Sequence, residues 1–200
     1  QCLVGSEMCI RDSGTVEYKA EIGNAAFRGC TSLTDVSLSE NVTSIGSMAF
    51  SGCTSLETLN LPERVESLGR CLIGKTAISS ITIPKNVKYS TNVSSSYGVL
   101  VNVNTLKTVT FEEGMEAIPS CIMASGSYTS YIDKIILPSQ LKKIGSSAFY
   151  NCGKITQMEV PKTITEIGGS AFENCTGLKS FRMNYNGTVE YKACLLYTSP

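Results

Sequence analysis

The feature that most limits what this 200-residue chain can become is a pattern that returns at a fixed interval. Ile22-Gly23 recurs as Ile45-Gly46 and, after an equal step, as Leu68-Gly69; the pair reappears as Ile144-Gly145 and, one such step on, as Ile167-Gly168. Ala26-Phe27 recurs as Ala49-Phe50, Ala148-Phe149 and Ala171-Phe172, and Cys30 as Cys53, Cys152 and Cys175. An L-x-x-L-x-L segment follows each time. Its seven copies are Leu33/Val36/Leu38, Leu56/Leu59/Leu61, Ile78/Ile81/Ile83, Leu106/Val109/Phe111, Ile132/Ile135/Leu137, Ile155/Met158/Val160 and Leu178/Phe181/Met183. A fixed period of this length marks a chain built from stacked copies of one supersecondary unit.

Each part of the unit has a physical reading. The L-x-L end alternates with period two, as a strand with one buried face does. Pro62, Pro84, Pro138 and Pro161 follow its last apolar residue, where a missing N–H ends the strand in a turn. Val42, Val65, Leu141 and Ile164 open a short V-x-x-I segment that reads as extended and half buried. The glycine after the isoleucine suits either a positive φ or a close backbone approach. The segment S-x-A-F-x-x-C, as in Ser146–Cys152, fits about one or two helical turns, with Ala and Phe facing the core. One such unit is too small to offset its own chain entropy. Stacking closes the core, so the fold class expected is an α/β repeat solenoid of about seven units.

Composition removes several functions. Seventeen Lys+Arg balance seventeen Asp+Glu, which speaks against nucleic-acid binding and against a basic membrane-surface segment. The chain has no histidine, which excludes Ser-His-Asp and Cys-His catalysis and His-containing zinc sites. The longest charge-free stretch, Tyr89–Leu106, is rich in Ser and Asn and is not a membrane span. Cys30, Cys53, Cys152 and Cys175 share one position of the repeat, and Cys71 and Cys121 share another, that of Met48. That spacing is repeat packing rather than ligand spacing, so these are expected to be buried structural thiols. No catalytic set, metal site or cofactor is expected. Asn41, Asn92 and Asn186 begin glycosylation acceptor triplets, which matter only in a secreting eukaryote.

The two ends break the pattern. EMCIRDS, within residues 1–13, and CLLYTSP, residues 194–200, back-translate to opposite strands of one sequencing-library adaptor. Both are expected to be adaptor-derived, leaving 14–193 as the native segment, a metagenomic fragment. GTVEYKA occurs at Gly14–Ala20 and again at Gly187–Ala193, as an assembly overlap or a true duplication. The end units are expected to expose apolar cross-sections at Ile22, Phe27 and Leu33, and at Phe172, Leu178 and Phe181.

Two surfaces are candidates for binding. Outward positions of the L-x-L segments are Asp35, Ser37, Thr58, Asn60, Ser80, Thr82, Thr108, Thr110, Lys134, Ile136, Gln157, Glu159, Ser180 and Arg182. This is a Ser/Thr-rich ladder of mixed charge, suited to polar recognition or simply to solvent. The second surface comes from irregular repeats at about 87–131. The runs from Val87 to Leu106 and from Met115 to Ile132 are both longer than the equivalent regular run from Val42 to Leu56. The A-F pair is missing from both. The inserted residues are uncharged and carry Tyr89, Tyr97, Tyr128 and Tyr131. That is the composition of adaptable contact loops, and equally of surface insertions that a solenoid tolerates.

IGSMAFSGCTSLETLNLPERVESLG, from Ile45 to Gly69, resembles the BspA-like class of leucine-rich repeats almost residue for residue. The likeness extends over nearly all of the stretch from 14 to 193. It implies a right-handed β/α superhelix with the L-x-L ladder on its concave face. It further implies an extracellular or cell-surface location and a non-catalytic adhesion or binding role toward a protein or glycan. The alternatives are an architectural spacer, or the ligand-binding part of an enzyme whose catalytic domain lies elsewhere.

Overall fold

The computed structural model describes the backbone of residues 6–10 and 16–18 and the whole of 19–126 and 130–183. The described strands are β1 (Ser6–Ile10), β2 (Val16–Ile22), β3 (Val42–Ile45), β4 (Ser67–Gly69), β5 (Ser80–Ile83), β6 (Tyr89–Thr91) and β7 (Thr108–Phe111). Then come β8 (Ala117–Ile118), β9 (Lys134–Ile136), β10 (Lys143–Ile144), β11 (Gln157–Val160), β12 (Glu166–Ile167) and β13 (Ser180–Met183). The chain coils about seven times, and each face of the coil forms its own parallel ladder. The V-x-x-I segments stack as β2-β3-β4-β6 and, after a break, as β8-β10-β12. The L-x-L segments stack as β5-β7-β9 and separately as β11-β13. β1 pairs antiparallel with the outer edge of β2 and lies within the segment expected to be adaptor-derived.

The alternation read from the sequence is present where the ladder forms. Ile81, Ile83, Val109, Phe111, Met158 and Val160 are buried, while their neighbours along each strand face outward. The first two L-x-L segments form no ladder among the described residues.

The third side of the coil differs from the expected α/β unit. No described residue is helical; the A-F segment is a run of tight turns. Ser51 N donates to Met48 O at 3.1 Å, Cys53 N to Phe50 O at 3.2 Å and Leu56 N to Cys53 O at 3.0 Å. Left-handed residues explain why no helix forms. Met48 (φ 57°) precedes Ala49-Phe50 and Gly52 (φ 81°) follows them; Ser147 (φ 53°) and Asn151 (φ 61°) flank Ala148-Phe149 in the same way. The stretch left between the two is too short for a helix, and the freed N–H groups turn to the next coil. Phe27 N donates to Ala49 O at 2.8 Å, Phe50 N to Leu72 O at 3.0 Å and Phe149 N to Ala171 O at 2.9 Å. The coils are therefore tied by backbone bonds on this side as well.

The glycine after the isoleucine serves close approach, not positive φ. A Cβ on Gly46 would lie 2.6 Å from Asn24 N, and one on Gly145 2.5 Å from Ser120 N. Gly23, in the first coil, has nothing within 4 Å of that position.

The core is continuous from coil to coil. Phe50 and Phe149 are fully buried. Phe27 stacks on Phe50 at 5.2 Å and Phe149 on Phe172 at 5.1 Å. In the irregular coils the missing A-F pair is replaced rather than lost. Ile122 and Met123 occupy it in one, where Met123 N donates to Ala148 O at 2.9 Å. In the other, Val99, Leu100 and Val101 turn inward and are buried, so part of the expected contact loop is core. At the ends Phe27, Leu33, Phe172 and Leu178 are half-buried, and Phe181 and Met183 are exposed. Ile22 departs from expectation: it is 5% exposed, pairs with Ile45 of β3 and joins the continuous core.

Candidate functional site

The outward residues of the L-x-L segments stand in rows because the parallel ladders are in register. Ser80 pairs with Thr108 and Thr108 with Lys134; Thr82 pairs with Thr110 and Thr110 with Ile136. Gln157 pairs with Ser180 and Glu159 with Arg182. Asp35, Ser37, Thr58 and Asn60 are exposed on the segments that lack a ladder, and Thr108, Thr110 and Ser180 are half-exposed. One member of the rows is apolar: Ile136, 41% exposed.

Five of the candidate residues converge. Lys134, Gln157, Glu159, Ser180 and Arg182 line a cleft of about 510 Å³, with Ile135 and Met158 on its floor. The cleft lies where the ladder is interrupted, between β9 and β11. Nothing in the repeat spacing signals it, since Lys134 and Gln157 are one regular period apart.

The insertion tyrosines are placed separately. Tyr89 lies on β6 and is 61% exposed. Tyr97 sits in a tight turn closed by its N–H to Ser94 O at 3.1 Å, with the Arg70 guanidinium 5.7 Å from its ring centre. The Lys107 ammonium lies 5.2 Å from the Tyr131 ring. These cations of the same chain occupy one ring face each. Tyr128 lies outside the described residues.

The cysteines divide by coil. Cys53 and Cys152 are buried, Cys71, Cys121 and Cys175 half-buried, and Cys30 exposed, which corrects the expectation of six core thiols. The reason is a recurring bond to the preceding coil. Cys53 Sγ donates to Phe27 O at 3.1 Å, Cys152 Sγ to Met123 O at 3.6 Å and Cys175 Sγ to Phe149 O at 3.2 Å. Among the described residues Cys30 has no preceding turn to bond or pack against. Burial pushes the Cys175 thiol up to about 11 and raises Cys53, Cys71, Cys121 and Cys152 as well. Thiolate is the reactive form. A maleimide dye should therefore label Cys30 within minutes in the native chain, and Cys53 and Cys152 only after denaturation. Rapid native labelling of Cys152, read by peptide mass spectrometry, would contradict the packing.

Among the described residues no His, Cys, Asp or Glu cluster is arranged to hold a metal ion, and no helix is long and apolar enough to cross a membrane.

No curated protein sequence matches the chain. Solved structures do. A leucine-rich repeat protein from Eubacterium ventriosum ATCC 27560 is 21% identical with a TM-score of 0.40, covering 82% of this chain and 58% of its own. The pneumococcal vaccine antigen PcpA is 20% identical with a TM-score of 0.46, covering 80% of this chain and 37% of its own. A leucine-rich cell surface protein from Faecalibacterium prausnitzii A2-165 is 20% identical with a TM-score of 0.33, covering 84% and 70%. The BspA type leucine-rich repeat region matches in six copies, over residues 20–126 and 100–199. With that match across most of its length, and a β-solenoid whose coils follow the same period, the chain belongs to the BspA-type leucine-rich repeat family.

Proposed function

We propose that the chain is a non-catalytic binding module of a surface or secreted protein, with residues 14–193 as the native segment and the L-x-L face as its contact surface. One observation carries this reading: polar side chains from several coils stand in register on a hydrogen-bonded scaffold, and five of them meet at one cleft. Rigid frames that present aligned polar groups suit recognition of an extended or repetitive ligand. The family resemblance implies a right-handed superhelix with this ladder on its concave face. The surface location follows the family, one similar structure being named a cell surface protein. A fold of this kind does not by itself select the ligand.

The test starts from a protein and glycan array screen, followed by substitutions. Thr58→Arg and Thr108→Arg should each reduce binding of any hit at least ten-fold while leaving the circular dichroism and melting temperature unchanged. If those variants bind normally and only Tyr89→Ala, Tyr97→Ala or Tyr131→Ala lose the ligand, the insertions are the site and the ladder reading is wrong.

A further inference from the structure

We propose that the cleft between β9 and β11 is a slot for an extended peptide, which enters as a guest strand between two strands of the solenoid. This rests on the L-x-L face being the contact surface and names what that face takes. Every other pair of consecutive strands from β5 to β13 on this face is hydrogen-bonded; β9 and β11 are not. Their two coils are nonetheless joined on both other sides, by β8-β10 and by Met123 N to Ala148 O at 2.9 Å. The coils are therefore fixed in sequence and open like a wedge on this side alone.

The slot has the chemistry of two facing strand edges. Lys134 N donates to Lys107 O at 3.1 Å, so the main chain of Lys134 faces β7. Strand geometry then turns the N–H and C=O of Ile135 toward the cleft. Thr156 O accepts from Lys179 N at 2.8 Å, so the main chain of Gln157 likewise faces the cleft from the other wall. Nearly all Cα–Cα separations between β9 and β11 exceed 8 Å, so the two edges stand farther apart than paired strands at about 4.8 Å; an intervening strand needs about 9.6 Å. Open edges of this kind are satisfied by strand addition, in which main-chain bonds give affinity and side-chain rows give selectivity. A polypeptide is favoured over a glycan because an amide backbone supplies donors and acceptors at the ladder repeat.

The rows define the guest. Ile135 and Met158 form the floor, so the guest residue that points inward is small and apolar. Of its two outward neighbours, one lies beside Lys134 and is acidic. The other lies between Ile136, 41% exposed, and Glu159 of the opposite wall, and is apolar and without negative charge.

The probe is the peptide acetyl-Thr-Glu-Val-Ile-Thr-amide, titrated into the nitrogen-15-labelled full chain and followed by amide shifts. Shifts should concentrate at Ile135 and Gln157. Full N-methylation of the peptide should weaken it at least ten-fold. Lys134→Glu should weaken the Glu peptide several-fold and strengthen the peptide carrying Lys in its place. Undiminished binding of the N-methylated peptide would overturn the proposal. So would shifts confined to the Thr58–Thr110 rows, although the L-x-L face would then stand as the contact surface. Absence of any shift at millimolar peptide overturns the slot, while the arginine substitutions at Thr58 and Thr108 decide the contact surface separately. Concentration-dependent shifts of the cleft amides without peptide would put a second copy there and equally overturn it.

Discussion

Phe149→Ala is expected to destabilise the chain by about 3–5 kcal/mol, through lost transfer energy and the cavity left behind. The ring is fully buried. It stacks on Phe172 at 5.1 Å and meets Phe111 edge-on at 6.3 Å, with an interplanar angle of 81°. Collapse around the cavity is restricted, because the coils are held at a fixed spacing by Met123 N to Ala148 O and Phe149 N to Ala171 O, both 2.9 Å, and by the pairing of Ile144 with Ile118 and Ile167. Phe27→Ala is the matched control. Phe27 stacks on Phe50 but is only half-buried in the first coil, so its loss should cost about a third as much in area terms, roughly 1–2 kcal/mol. Urea denaturation followed by circular dichroism measures both. A cost below about 1 kcal/mol for Phe149→Ala would mean that the ring does not plug the core. Because stability in a solenoid is a sum over neighbouring coils, the variant should also separate the transition of the last coils from the rest.

The fold is legible where one residue type does one job at every period. The L-x-L alternation names Ile81, Val109 and Met158 as buried and Thr82, Thr110 and Glu159 as outward, and the structure agrees. The expected helical turn is absent although Ala-Phe and a Cys three positions on also satisfy helical spacing. What decides against the helix is a left-handed φ at Met48, Cys71, Cys121 and Ser147. None of these residue types favours that conformation, which costs about 1–2 kcal/mol outside glycine. The bonds to the next coil impose it, such as Met48 N to Arg70 O at 2.9 Å. The other end of the turn carries a readable signal: Gly52, Asn151 and Asn174 all have positive φ, and Gly and Asn adopt it most readily. Insertion length likewise marks the irregular coils, but not that Val99–Val101 fill the core. The cleft leaves no trace in the sequence at all, since it arises from how two coils diverge and not from any unusual residue at Lys134 or Gln157.

Gly145→Ala is expected to cost about 3 kcal/mol, at the upper end of what overpacking in a close-packed interior produces. The cause is the approach of two backbones. A Cβ on Gly145 would lie 2.5 Å from Ser120 N and 2.8 Å from both Ile118 O and Pro119 C. These are main-chain atoms, so no side chain can swing aside. Relief requires the two coils to separate at the point where Gly145 N donates to Ile118 O at 2.9 Å. The same coils are already unpaired between β9 and β11, so the substitution attacks one of the two remaining connections. Gly23→Ala is the control at the same position of the repeat. It has open space and no positive φ, so it should be neutral or stabilise by a few tenths of a kcal/mol through a less flexible unfolded chain. Thermal and urea denaturation of both variants, with hydrogen exchange at Lys143 and at residue 145, whose amides donate to Glu116 O and Ile118 O of the neighbouring coil, provides the measurement. Exchange should accelerate first at these amides in Gly145→Ala. Equal costs at Gly23 and Gly145 would show that this glycine serves the chain's flexibility, and that coil-to-coil contact does not select it.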